Sequence, residues 1–308
     1  MFKHLLKKIT ILLCSLWSVM TLTFFLSHAI PGDPLTDEET VPPEILQAMS
    51  RHYGLDKPLW EQYVTYASNL LKGDLGPSFK YQSRTANDII RDGFPISLTL
   101  GFEALFIAIP LGLFLGSLAA LKNGQWQQRV IMLISVIGIS VPSFILASLL
   151  QYIFAMQLDL FPVARWETFQ HTILPALTLS ALPTTIITRL TQSSLIEVLQ
   201  QDYILTAKAK GLSMTKIILH HALRNSLLPV ISYLGPLIAN VLTGSFVVEK
   251  IFGIPGLGQW FVMSVANRDY SLIMAMTIFY SSFLMVCVFI VDVLYSLLDP
   301  RIKTQVYE

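Results

Sequence analysis

The chain has 308 residues, of which 53% are hydrophobic and 13% charged, and its mean hydropathy is +0.59. Soluble domains carry about 25% charge, so this composition excludes a soluble enzyme and a disordered chain alike. A net charge of +1 offers no field for nucleic acid, and two cysteines in apolar runs, Cys14 and Cys287, give neither a disulfide framework nor a CxxC metal pair.

A helix needs about 20 consecutive apolar residues to cross a bilayer core. Six stretches qualify: 9–30, 95–121, 130–157, 172–190, 227–248 and 272–298. They are too long and too evenly apolar for porin strands, and lipid demands that backbone groups be satisfied within the segment, so helices are expected. Lys3, Lys7 and Lys8 precede the first, and Ser27-His28-Ala29 resembles a small-x-small cleavage site. The apolar run, about 22 residues, exceeds the 7–15 of a signal peptide, so it is expected to stay as a membrane helix.

The segment 31–94 is too polar for lipid and holds ten acidic residues. Residues 43–53 read as a short helix stopped by Gly54, and 58–72 as another, with Pro58 at its first turn and Gly73 just past its end. This small cap either meets a partner or covers a pathway entrance. Gly112 and Gly116 form a GxxxG, read as intramolecular packing of the second helix. Pro110, Pro142, Pro175, Pro183 and Pro229 predict kinks. Glu103 and Asp292 are acids within predicted spans, each expected within about two turns of a helix end, as pathway or packing groups.

The 37-residue loop 189–225 exceeds the length that structureless loops reach. It reads as two helices, 194–210 and 213–225, broken at Gly211, with Ser213 as N-cap. Met214, Ile217, Ile218 and His221 have the spacing of one face, and Lys208, Lys210, Lys216 and Arg224 supply positive charge. Lying on anionic lipid, packing on its own helices, or docking on another protein all fit that pattern. In 249–270, Phe252-Gly253-Ile254-Pro255-Gly256-Leu257-Gly258-Gln259 reads as a tight re-entrant or external turn and fits no phosphate-loop spacing.

Basic residues set the orientation. With the long first external loop set aside, the segments 1–8, 122–129, 189–225 and 299–308 hold twelve Lys/Arg against three on the other side, which predicts both termini in the cytoplasm. No glycine is followed by lysine, so there is no Walker A motor. HExxH, GxSxG and Cys/His metal spacings are absent, and the adjacent His220 and His221 point about 100° apart on a helix. No catalytic residue, metal ligand or cofactor site is expected.

Several stretches then appear in a telling order: Tyr53-Gly54-Leu55-Asp56-Lys57-Pro58-Leu59, Gly73-Asp74-Leu75-Gly76 and Val141-Pro142-Ser143-Phe144. They continue with Asp202-Tyr203, Thr206 to Leu212, His221 to Asn225 ending at Pro229, Phe252 to Gln259, Arg268-Asp269-Tyr270 and Leu298-Asp299-Pro300-Arg301. With six helices, this chain resembles the permease subunits of bacterial ABC importers of the dipeptide/oligopeptide/nickel family, over residues 1–303. The first permease of the peptide-importer pair is the nearer type. The superfamily's EAA-x3-G-x9-I-x-LP loop, set on Gly211, is matched at Ala207 and Gly211 only, and its proline comes later, at Pro229.

The resemblance implies an all-α, polytopic type I importer permease in the bacterial inner membrane, with residues 1–94 as N-terminal helix and external loop and 95–303 as the five-helix permease domain. It implies that Ala207, Lys208, Ala209, Lys210, Gly211 and Leu212 form a coupling element for a separate ATPase. Implied partners are a second permease subunit, two cytoplasmic ATPase subunits, an extracytoplasmic binding protein, a peptide substrate and membrane lipid, with no nucleic acid. A nickel importer of the same family, and an ion-coupled carrier working through Glu103 and Asp292, are the alternatives.

Overall fold

The computed structural model describes residues 2–29, 50–52, 54–81 and 84–298. In chain order the helices are α1 (Phe2–Ala29), α2 (Leu59–Leu71), α3 (Ala86–Leu121), α4 (Trp126–Ser140), α5 (Ser143–Gln157), α6 (Gln170–Leu199), α7 (Asp202–Ala209), α8 (Met214–Ser226), α9 (Leu228–Leu242), α10 (Phe246–Phe252), α11 (Leu257–Ala266) and α12 (Tyr270–Leu298). Wider π-type turns wind α5 over Gln151–Gln157 and α8 over Ile218–Ala222. No strand forms among the described residues. Most of the short helix expected over 43–53 lies outside the described residues.

Among the described residues four helices, α1, α3, α6 and α12, are long and apolar enough to cross a membrane. The pairs α4–α5, bent by 105°, and α8–α9, bent by 52°, bring the number to six if each is one span. The fold is therefore all-α and polytopic, but two expected spans are corrected. The stretch 130–157 is not one rod: it breaks after Ser140, where Pro142 cannot continue the helix. The stretch 227–248 ends at Leu242 and resumes as α10, because Gly244 turns the chain at φ +91°.

The chain packs as two units, residues 1–96 with 255–285, and residues 97–254 with 286–308. In the first, Ala86, Ile89, Ile90, Leu257, Leu272, Ala275 and Met276 form a buried core against which Phe94, Trp260 and Phe279 pack. Thr85 and Asp88 close a reciprocal cap at the start of α3: the Asp88 carboxylate accepts from the Thr85 N–H (3.0 Å) and Thr85 Oγ1 accepts from the Asp88 N–H (3.1 Å). That cap starts the helix nine residues before the expected 95. The end of α1 is tied to α2, with Thr21 Oγ1 2.8 Å from Tyr63 Oη and His28 Nε2 3.2 Å from Gln62 Oε1.

In the second unit α6 is the central helix. The GxxxG of α3 lies against it: a Cβ at Gly112 would meet Ile187 at 2.8 Å, and one at Gly116 would press on the Thr188 carbonyl and on Thr191. These glycines thus serve packing within the chain, as expected. Pro175 and Pro183 sit inside α6 without ending it. Two of its buried hydroxyls find partners on the same helix, Thr178 donating to Leu174 O (2.9 Å) and Thr188 to Thr184 O (2.7 Å), whereas Thr184 Oγ1 and Thr191 Oγ1 are buried and meet no partner among the described residues.

Candidate functional site

The loop between α6 and α9 is built in steps that the residues dictate. The chain leaves α6 at Gln200, takes an extended turn at Gln201, and starts α7 at Asp202. The single helix expected over 194–210 is thus two. The break lets Ile204 and Ala207 fold back onto Leu195 and Ala120 instead of running on past the core. At its far end, Gly211 N–H donates to Lys208 O (2.9 Å) and Leu212 N–H to Ala207 O (3.3 Å). This is the paired closure that needs a left-handed residue, and Gly211 supplies φ +75°. Ser213 then caps α8, its hydroxyl accepting from Lys216 N–H (3.4 Å).

The two faces of this element differ. Its floor is apolar: Ile204, Ala207, Ile217 and Ala222 are buried with Leu195 of α6 and Ala120 of α3, and Leu212 packs against them. Its outer surface is mixed: Lys208, Lys210, Lys216 and Arg224 are exposed, and so are Leu205, Met214 and Leu219. Of the expected apolar face of α8, Ile217 is buried and Ile218 half-buried, but Met214 at its first turn is exposed; His221 is exposed too, because the π-wound turn over Ile218–Ala222 rotates it out and brings Ala222 inward. On the surface, Asn225 Nδ2 donates to Tyr203 Oη (2.9 Å), joining α8 to α7. Nothing in the helical periodicity points to that bond.

Of the six residues singled out in sequence, Lys208, Ala209, Lys210 and Gly211 are exposed, Leu212 is half-buried and Ala207 faces the core. Glu103 is not near a helix end: with α3 starting at Ala86 it is about midway along, roughly 25 Å from Ala120 at 1.5 Å per residue. Its Oε2 is buried and meets no hydrogen-bond donor among the described residues. Asp292 lies on α12, and its side chain is outside the described residues. Among the described residues no group of His, Cys, Asp and Glu could hold a metal ion.

Two buried carboxylates are not apparent from the sequence. Glu249, on α10, accepts a hydrogen bond from Ser97 Oγ (2.8 Å) and is fully buried, as is Asp269. Asp269 accepts from Ser78 Oγ, from Phe79 N–H (3.2 Å) and from Leu272 N–H (3.1 Å), where it caps α12. Both lie outside the expected spans, so no apolar run marks them. The usable signal is local: a Ser, Gly or Asp beside each helix start.

Comparison with known proteins gives this arrangement its place. The model of binding-protein-dependent transport system inner membrane components matches residues 109–304, and that of the corresponding N-terminal region matches residues 1–101. The dipeptide transport system permease protein DppB of Bacillus subtilis is 48% identical over 303 residues, 98% of each chain. The oligopeptide transport system permease protein OppB of Haemophilus influenzae is 44% identical over 306 residues, 98% of this chain and all of that one. Among solved structures, the MetNI methionine ABC transporter in inward-facing conformations aligns with a TM-score of 0.55 at 17% identity, covering 68% of this chain and 96% of that one, which shows a shared fold. This chain belongs to the family of inner-membrane components of binding-protein-dependent transport systems, the permease subunits of ABC importers.

Proposed function

We propose that this protein is the permease subunit of an ATP-driven importer of peptides. The observation that carries the substrate class is the 48% identity to a dipeptide permease over nearly the whole of both chains, joined by oligopeptide permeases at 41–44%. The same relatives favour peptides over nickel. In this reading both termini are cytoplasmic, residues 1–94 form the first helix and external cap, and 95–303 form the permease domain. A second permease subunit completes the pathway, two ATPase subunits bind inside, and a binding protein delivers peptide outside. The chain itself performs no bond chemistry.

The loop of α7 and α8 is the coupling element. Lys208, Ala209, Lys210 and Gly211 present an exposed tip to the ATPase, while Ala207 and Leu212 hold that tip on the chain's own core. The floor joins the loop to the end of α6 through Leu195 and to the end of α3 through Ala120. A push on the tip is therefore delivered to both helices, which the Gly112 and Gly116 contacts make move together. The energy is the ATPase pair's differential affinity for the loop in outward and inward states; equal affinity would shift nothing. Glu103 is a pathway or packing acid in this scheme, and Asp292 is a second candidate for that role.

Proteoliposomes holding the permease pair, the ATPases and the binding protein test the reading. Uptake of labelled dipeptide is expected to require internal ATP and to persist with a protonophore present. Uptake that collapses with the proton gradient while ATP remains, and that Glu103→Gln abolishes, would favour the ion-coupled carrier instead.

A further inference from the structure

A cavity of about 380 Å³ opens within the first unit, between the end of α1, residues 51–52 and 54–57, α2 and the start of α12. Its volume is in the range of small-ligand sites. Arg51, Lys57, His28 and His52 line it, and no aspartate or glutamate does among the described residues. The wall is braced: the Gln62 amide donates to Lys57 O (2.8 Å) and Leu55 O (3.2 Å) while its oxygen lies against His28. Also on the wall is Tyr66, whose hydroxyl oxygen is buried and meets no partner among the described residues. Burial raises its pKa above the usual tyrosine range, so at neutral pH it remains a hydrogen-bond donor with nothing to receive the bond. A buried donor left unpaired is costly, and an acceptor supplied by a ligand removes that cost.

We propose that this cavity is a subsite for the C-terminal carboxylate of a small peptide, held on the permease itself. The proposal rests on the peptide-importer reading. Charge-assisted bonds from Arg51 and Lys57, with the Tyr66 hydroxyl, suit a carboxylate. Asn69 and Ser271 offer donors and acceptors for peptide amide groups, and Phe24 gives an apolar surface for a side chain.

The test is equilibrium dialysis of tritiated Ala-Phe, and of its C-terminal amide, against the full chain in POPC nanodiscs. The free acid is expected to bind about tenfold more tightly than the amide, the scale of a charge-assisted bond. Arg51→Gln and Tyr66→Phe are each expected to bring the acid to the level of the amide; Tyr66→Phe keeps the ring, and Arg51 is exposed, so both variants should melt like the parent. Equal affinity for acid and amide, or variants that bind like the parent, overturns the subsite. So does displacement of Ala-Phe when POPG replaces part of the POPC, which would assign the cavity to anionic lipid. ATP-driven uptake by the complete importer is read alongside: uptake without any acid–amide difference sinks the subsite alone, whereas no peptide uptake at all sinks the transport reading.

Discussion

The stretch 73–81 in the first unit and the loop 200–226 in the second share a backbone device. Helix α2 ends at Gly73 (φ +78°), where Gly73 N–H donates to Leu70 O and Asp74 N–H to Asn69 O, each at 3.0 Å. Helix α7 ends at Gly211 (φ +75°) with the equivalent pair of bonds. Beyond the two glycines the chain is held in different ways. The 73–81 stretch is fixed by directional bonds: Asn87 accepts from Leu75 N–H (2.9 Å) and donates to Gly73 O (2.7 Å), and the buried Asp269 takes Ser78 and Phe79. The 200–226 loop rests on an apolar floor and leaves its cations exposed. Directional bonds to a buried carboxylate define one position. An apolar seat holds an element as a body, yet leaves its polar surface for another protein.

The comparison breaks most sharply at Asp269. Asp269→Ala removes the acceptor of three donors and leaves them buried and unpaired; the expected loss is about 3–5 kcal/mol, seen as a large drop in melting temperature in detergent. Ser78→Ala loses one of those bonds and should cost about 1–3 kcal/mol. A parent-like melt for Asp269→Ala would show that this carboxylate does not hold 73–81 in place. Next comes Gly244→Ala in the second unit. The added methyl would run into the Glu249 carboxylate and come to 2.7 Å from Ser97 Oγ, on a backbone at φ +91°. Strain and overpacking together predict a loss of about 2–4 kcal/mol, read as a lower melting temperature in detergent.

These sites also mark how far the sequence can be read. Six apolar stretches and the loop helices follow from patterns many residues long, where hydrophobic burial outweighs local detail. Gly211 and Ser213 are legible because a left-handed C-terminal turn and an N-cap each demand a narrow set of residues. The start of α3 is hard to see since its signal is one short polar cap, Thr85 with Asp88, set before an apolar run that dominates any windowed reading. Asp269 and Glu249 are hidden for another reason. Ser78 and Ser97 are 191 and 152 residues away in sequence, so only the fold shows that these acids are buried and bonded. The fold-back of Ala207 likewise depends on Leu195 and Ala120, neither of which any local motif links to it.

Within the loop, shape and charge separate. No atom lies within 4 Å of a Cβ built on Gly211, so Gly211→Val acts through its backbone alone. A β-branched residue forced toward a left-handed conformation costs about 1–2 kcal/mol. Melting should fall modestly while ATP-driven uptake falls much more, because the tip is re-aimed. Gly211→Asn, which tolerates that conformation better, should restore part of the uptake.

The smallest effect on stability is expected from charge, and it decides most about docking. Lys208 and Lys210 are exposed and sit above the apolar floor instead of in it, so reversing both to glutamate should change stability by no more than about 0.5 kcal/mol. If these cations only solvate a surface, uptake and ATPase association should also stay unchanged. If they meet the ATPase, co-purification of the ATPase in mild detergent should fall steeply, with weaker dependence on salt in the variant than in the parent. A double reversal that melts like the parent but no longer holds its ATPase would separate the two roles of the loop: Ala207, Ile204 and Ile217 seat it, and Lys208 and Lys210 engage the partner.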